Sequence, residues 1–206
     1  MKKYLSTILL LSVATLTVAQ IADNTKTPLS LMKDPYLDWV YRWKLEGFTC
    51  DTMYYTAEIE QNIIDSAIQT IKNQTSFKIH FLYRGKMTSP LELSKEEQAY
   101  LLTELEKHKS HRWDSNLFPN SKRIELTEIQ NSLNITEKLP SESEKNMCSI
   151  VYTFSKPIFL RDNTITLFLD QKKYRTNYTQ LEFNFYTFQN NRWEVLATVY
   201  NYYESE

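Results

Sequence analysis

Leu181-Glu182-Phe183-Asn184-Phe185-Tyr186, followed after Asn190-Asn191 by Trp193-Glu194-Val195-Leu196-Ala197-Thr198-Val199-Tyr200, decides the fold class of this chain. In the first run Leu181, Phe183 and Phe185 alternate with Glu182, Asn184 and Tyr186. In the second, Trp193, Val195, Ala197 and Val199 alternate with Glu194, Leu196, Thr198 and Tyr200. A period of two with β-branched and aromatic residues is the signature of a strand half-buried in a sheet. Asn190-Asn191 accepts the positive φ of a tight turn, so the two runs form a hairpin.

Strand character extends upstream to Cys148. Ile150, Tyr152 and Phe154 alternate with Val151 and Thr153, until Pro157 interrupts the ladder and marks an edge or a bulge. Asp162-Asn163 supplies a turn into a return strand over Ile165 to Asp170. Four consecutive strands with short links predict an antiparallel meander. A further strand is expected upstream, where Phe77, Ile79, Phe81 and Tyr83 alternate with Lys78, His80, Leu82 and Arg84.

The N-terminal half reads as helical. Asp34-Pro35 is an N-cap with proline at the first helical position, Gly47 is the stop, and Tyr36, Trp39, Val40 and Trp43 form one face. Trp39 and Trp43, one turn apart, suit either core packing or a sugar-stacking platform. Ile59, Ile63, Ile64, Ala67, Ile68 and Ile71 make the clearest buried stripe in the chain. Ser94-Lys95-Glu96-Glu97 is a capping box opening a helix that turns Leu101, Leu102 and Leu105 inward, and Thr127-Glu128-Ile129-Gln130 is a weaker one. Trp113, Leu117 and Phe118 are expected to tuck an aperiodic loop onto the body. The fold class is therefore α+β: a C-terminal four-stranded antiparallel meander plus one upstream strand, with N-terminal helices packed on one face.

The first nineteen residues carry a different message. Lys2 and Lys3, an apolar run through Leu9, Leu10, Leu11, Val13, Leu16 and Val18, and small residues Thr17 and Ala19 before Gln20 read as a secretory signal peptide. The run is shorter than the roughly 20 apolar residues of a spanning helix. The expected organisation is a signal peptide over residues 1–19, a loose lead-in over 20–33 and a single α+β domain over 34–206. Cleavage removes two lysines and no acid, taking the net charge from −1 to −3. That balance gives no attraction to nucleic acid, and no membrane span is expected after cleavage. The expected address is periplasmic or extracellular.

The chain holds only 2 glycines, Gly47 and Gly85. Phosphate-cradling loops and dinucleotide fingerprints need clustered glycines, so nucleotide-binding enzymes are excluded in their usual form, and no cofactor is expected. The 2 cysteines, Cys50 and Cys148, are a candidate disulfide in an oxidising compartment; two separate buried thiols are the alternative.

Phe154-Ser155-Lys156-Pro157-Ile158-Phe159 and, further on, Asn191-Arg192-Trp193-Glu194-Val195 resemble a C-terminal β-meander of uncharacterised exported proteins of Gram-negative bacteria, with the pattern S-x-P-I-F … n-x-W-x-V. Leu117-Phe118-Pro119-Asn120-Ser121-Lys122-Arg123-Ile124 is similar too. The resemblance covers roughly the C-terminal half and implies an exported α+β domain. It implies no activity. Those proteins often carry Gly and Cys between the second and third meander strands, where this chain has Gln171 to Asn177 with neither.

Chemistry-bearing residues are sparse. His108 and His111 stand three apart with Glu104 one turn before, but such a set at a solvated helix end is not a metal site, and none is expected. His80 stands among cations. Ser155 sits at a bend without a Gly-x-Ser-x-Gly elbow. Glu58/Glu60 and Glu142/Glu144 read as solvated acids, and no catalytic residue is assigned. Lys172, Lys173 and Arg175, with Lys122 and Arg123, are a candidate anion patch. Tyr174, Tyr178, Tyr186, Tyr200 and Tyr202 are the candidate binding surface, because tyrosine offers large contact area at low entropic cost. The expected function is an exported, non-enzymatic envelope or periplasmic protein that binds another envelope protein or a polymer through an aromatic sheet face. The alternative is a small cofactor-independent secreted hydrolase acting on envelope glycan or peptide.

Overall fold

A computed structural model describes Leu31 and residues 52–79, 89–113, 117–129, 132, 150–174, 178–189 and 192–205. The expected signal peptide, the expected 34–47 helix, Cys50, Cys148, His80, the Glu142/Glu144 pair and the expected Asn190-Asn191 turn lie outside the described residues. In chain order the elements are β1 (Met53–Thr56), α1 (Gln61–Asn73), β2 (Ser76–Phe77), β3 (Leu91–Glu92), α2 (Lys95–His108), β4 (Ser121–Ile124), β5 (Ile150–Phe154), β6 (Ile158–Leu160), β7 (Ile165–Tyr174), β8 (Tyr178–Gln189) and β9 (Arg192–Ser205). Among them no helix is long and apolar enough to cross a membrane.

The main sheet runs β4-β1-β5-β7-β8-β9, with β6 also on β7. β7, β8 and β9 are successively antiparallel, whereas β1 lies parallel to both β4 and β5. The parallel pair had no signal in the sequence. Met53–Thr56 is too short to show a period, and Ser121–Ile124 is polar with two cations, as suits an edge strand. Pro157 marks a bulge. Between the Phe154↔Asp170 and Ile158↔Leu167 pairs, three residues oppose two, and the Ser155 Oγ accepts a 2.9 Å bond from the Leu169 N–H across the gap. β5 is no edge: all five of its residues are buried, and β1 pairs its other side.

The upstream strand differs from expectation. Ser76–Phe77 pairs with Leu91–Glu92 in a separate two-stranded ribbon, and this segment meets the main sheet through a 2.9 Å bond from the Thr198 N–H to the Lys78 carbonyl. Residues 80–84 lie outside the described residues.

One face of the sheet carries α1 and α2. Ile63, Ile64, Ala67, Ile68 and Ile71 of α1 pack with Leu101 and Leu105 of α2 over Leu167, Leu169, Leu181, Phe183, Phe185 and Ala197. Burying each large aliphatic side chain stabilises the fold by about 1.5–3 kcal/mol, which is what holds two short helices in place. The Ser94 box forms as expected: the Glu97 N–H donates to Ser94 Oγ at 3.1 Å and the Ser94 N–H to Glu97 Oε2 at 2.9 Å. Gln130 of the weaker box lies outside the described residues; just before it a 3-10 turn spans Leu126–Glu128, and the Glu128 carboxylate accepts from the Glu125 N–H at 2.8 Å.

The other face carries an aromatic layer. Tyr152, Phe154 and Phe168 stack in sequence, with Met53, Tyr55, Ile150 and Trp193 beside them. Phe118 covers this layer and Trp113 ties down by donating its ring N–H to the Phe154 carbonyl at 3.2 Å, as expected for the loop. Leu31, within the expected lead-in, is helical and buried in the same layer. Two register shifts in the β8–β9 ladder break the simple alternation read from sequence. Trp193 pairs with Phe188 on the aromatic face, while Ala197 pairs with Phe185 on the helix face. Each extra residue flips the strand once.

Candidate binding site

Register and alternation distribute the tyrosines between the two faces. Tyr200 and Tyr202 pair with Phe183 and Leu181, so they stand on the helix-covered face. Their rings lie parallel, 8° apart in plane with centroids at 6.5 Å. Tyr200 packs against the core and Tyr202 is 36 % exposed. Tyr174 and Tyr186 pack against the aromatic layer on the opposite face, and the Tyr174 ring lies 5.3 Å from that of Tyr178. The five candidates thus form two separate groups rather than one surface.

Tyr200 and Tyr202 wall a groove of about 390 Å³ between the first turn of α1 and the far end of β7, β8 and β9. Its floor is set by register: Gln171 opposite Leu181, and Lys173 opposite Thr179. The chain leaves β1, crosses the sheet and enters α1 at Glu60, whose extended backbone precedes the helix without a side-chain cap. Its carboxylate instead forms an ion pair with the Lys173 ammonium across the groove. The pair gives the site adjacent donor and acceptor groups but no net charge. Ser66, also in the groove wall, donates its hydroxyl to the Asn62 carbonyl at 2.8 Å and keeps acceptor capacity on its oxygen. Gln171 is 3 % exposed and its side-chain carbonyl oxygen has no hydrogen-bond partner among the described residues. An unsatisfied buried acceptor costs about 1–3 kcal/mol.

On the aromatic face a polar row crosses three strands. Asp170 stands directly opposite Glu182, and Glu182 opposite Asn201. Glu182 Oε1 accepts from Gln180 Nε2 at 2.7 Å and from the Tyr203 hydroxyl at 3.2 Å. Withdrawal of that hydroxyl from water, together with the facing carboxylate, pushes the Tyr203 phenol up to about 12.

Comparisons with protein-family models, with curated proteins and with solved structures return no match.

The remaining candidates have structural employment. Both ring nitrogens of His108 face backbone carbonyls at 2.7 Å, those of Glu104 and Lys156, so this ring is engaged within the fold. Ser155 is buried and holds the bulge. Glu58 pairs with Arg112, which also grips Glu125. Of the cations, Lys173 belongs to Glu60, Arg123 donates to the Trp113 carbonyl, Lys172 is on the opposite face from Lys173, and Arg175 lies outside the described residues. They do not make one patch. Sequence reasoning missed Glu60 and Gln171 as groove residues. The only available signal for Glu60 was a carboxylate placed immediately before an amphipathic helix.

Proposed function

We propose that this is an exported protein of the bacterial envelope or periplasm that acts by binding, and that it holds a polymer or a partner protein through the Tyr200–Tyr202 groove. The observation that carries this reading is the pair of parallel rings standing over a polar, charge-balanced floor. Binding sites combine apolar contact area with a few convergent polar groups, and the groove's volume falls within the range of about 300–1,000 Å³ usual for them. Export is supported by the cationic start, apolar run and small-residue exit of residues 1–19, and by the likeness of the S-x-P-I-F … n-x-W-x-V pattern to exported proteins. A four-stranded meander, counting the bulged β5–β6 pair as one strand, is the framework that presents the groove.

Two measurements test the reading. The protein recovered from fractionated cells is expected outside the cytoplasm with Gln20 at its N-terminus; cytosolic protein beginning at Met1 would overturn export. A photo-crosslinking amino acid at position 202 is expected to yield an adduct in cells, and the same group at exposed Tyr100 is not. Equal labelling at both positions would remove the groove from the account.

A hydrolase acting on envelope glycan or peptide without a cofactor is the second reading, favoured by Asp170 facing Glu182. Directly opposed residues have Cβ atoms about 5 Å apart, so the two acids are neighbours on one face of the sheet. Turnover of a panel of glycosides, esters and peptides, abolished in Glu182→Gln, would establish it. No turnover would end it.

A further inference from the structure

Resting on the binding reading, we infer that the groove takes an uncharged glycan chain rather than a peptide. Three features of the site point to this ligand class. Parallel tyrosine rings at positions 200 and 202 present flat apolar surface at one wall, which matches the C–H face of a pyranose ring. The opposite wall and the floor offer hydroxyl, amide, carboxylate and ammonium groups, from Thr179, Asn62, Gln171, Glu60 and Lys173, close to one another. A sugar is a molecule of this two-sided kind, with apolar faces and a rim of hydroxyls that both donate and accept. The Glu60–Lys173 pair leaves the groove without net charge, so an anionic or cationic polymer gains nothing there that it would not lose to the like-charged partner.

The buried side chain of Gln171 strengthens the case. It lines the floor of the groove, and its carbonyl oxygen lacks a partner among the described residues. A peptide has less to gain. Peptides bind sheets most effectively by adding a strand at an open edge. Here the groove lies on a face of β7, β8 and β9, not along an edge: β7 pairs with β5 and β8, β8 is hydrogen-bonded on both sides, and β9 ends the ladder with its outer edge pointing away in the plane of the sheet. Main-chain augmentation is therefore closed to a ligand resting on this face.

Titration of the mature protein, labelled with ¹³C in its tyrosine rings, tests the inference. The probes are the tetramers of α-1,4-glucose, β-1,4-glucose and β-1,4-N-acetylglucosamine, with a neutral tetrapeptide alongside, each at millimolar concentration. At least one tetramer is expected to move the Tyr200 and Tyr202 ring signals while those of Tyr174 and Tyr186 stay in place. Tyr202→Ala is expected to weaken that binding about tenfold and Tyr202→Phe to retain most of it, because stacking needs the ring and not the hydroxyl. Thr179→Val, a near-isosteric change outside the core, serves as a second variant and is expected to weaken binding without altering the thermal midpoint. Absence of any tetramer shift at Tyr200 and Tyr202 overturns the inference. So does a shift produced by the peptide alone, although that outcome leaves the binding reading intact.

Discussion

Arg161, in the turn between β6 and β7, donates from Nε to Glu97 Oε1 at 2.7 Å and from Nη2 to Glu97 Oε2 at 3.1 Å, pinning the first turn of α2 to the sheet. The same guanidinium reaches the Glu92 carbonyl at 2.6 Å. These bonds explain why Arg161 tolerates a φ of 50°, in a run with Asp162 at 53° and Asn163 at 62°. Left-handed backbone costs a non-glycine residue about 1–2 kcal/mol, which the Arg161 contacts and the local bonding of Asp and Asn offset. The Arg161 hydrogen bond is the chief reason the Glu97 carboxyl lies below its usual range. A carboxylate lowered in the folded state contributes stability that is present above its unfolded pKa and is lost as pH falls through the folded one. Glu97→Gln is expected to lower stability by about 1 kcal/mol at neutral pH and to leave a shallower decline below about pH 4. Urea midpoints measured across that window check both.

His108 links the end of α2 to the β5–β6 bulge through carbonyls 48 residues apart in one case and one helical turn away in the other. Replacing it with Ala removes its bonds to the Glu104 and Lys156 carbonyls and opens a cavity beside His111. A loss of about 1–3 kcal/mol is expected, read from the denaturant midpoint with an unchanged slope. The Tyr200–Tyr202 ring signals should not move, since the bulge lies away from the groove.

Tyr203 is expected to titrate last among the exposed tyrosines, near the value of about 12 set by its partial burial and by Glu182. Because the folded value exceeds the unfolded one, its contribution to stability is complete below about pH 10 and fades between about 10 and 12. Burial raises the Tyr55 phenol too, so ultraviolet titration of phenolate should show a late component to which Tyr203 contributes. Glu182→Gln should bring that component to lower pH.

The stripe on α1 supports the groove from behind. Ile64 and Ile68 are 0 % and 3 % exposed over the sheet, and either change to Ala is expected to cost about 2–5 kcal/mol by leaving a cavity. Thermal unfolding of Ile64→Ala and Ile68→Ala checks this. Helix positions facing water, such as Gln69, should shift the midpoint by less than about 0.5 kcal/mol.

What the sequence revealed follows from how local each signal is. The α1 stripe, the Ser94–Glu97 box, the return strand after Asp162-Asn163 and the alternation in β8 are written within one or two turns of chain, and they could be read there. β1 and β4 could not, because a four-residue parallel strand has no period and draws its pairing from residues 68 positions away, as Met53 does from Ser121. Trp193 and Ala197 land on opposite faces through the one bulge between them, at Leu196, which leaves no composition signal. Tyr200 and Tyr202 stand opposite Phe183 and Leu181, on the other face of the sheet from Tyr174 and Tyr186, so the tyrosine list was legible as residues but not as a site. Glu60 and Gln171 became groove residues only through the crossing of α1 over β7.

Co-sedimentation of the mature protein with a washed envelope fraction from its own cells tests the central claim most directly. Wild-type protein should pellet with that fraction, the Tyr200→Ala/Tyr202→Ala variant should stay in the supernatant while remaining folded, and Tyr178→Ala should behave as wild type. Equal sedimentation of the wild-type and double-variant proteins would contradict the account.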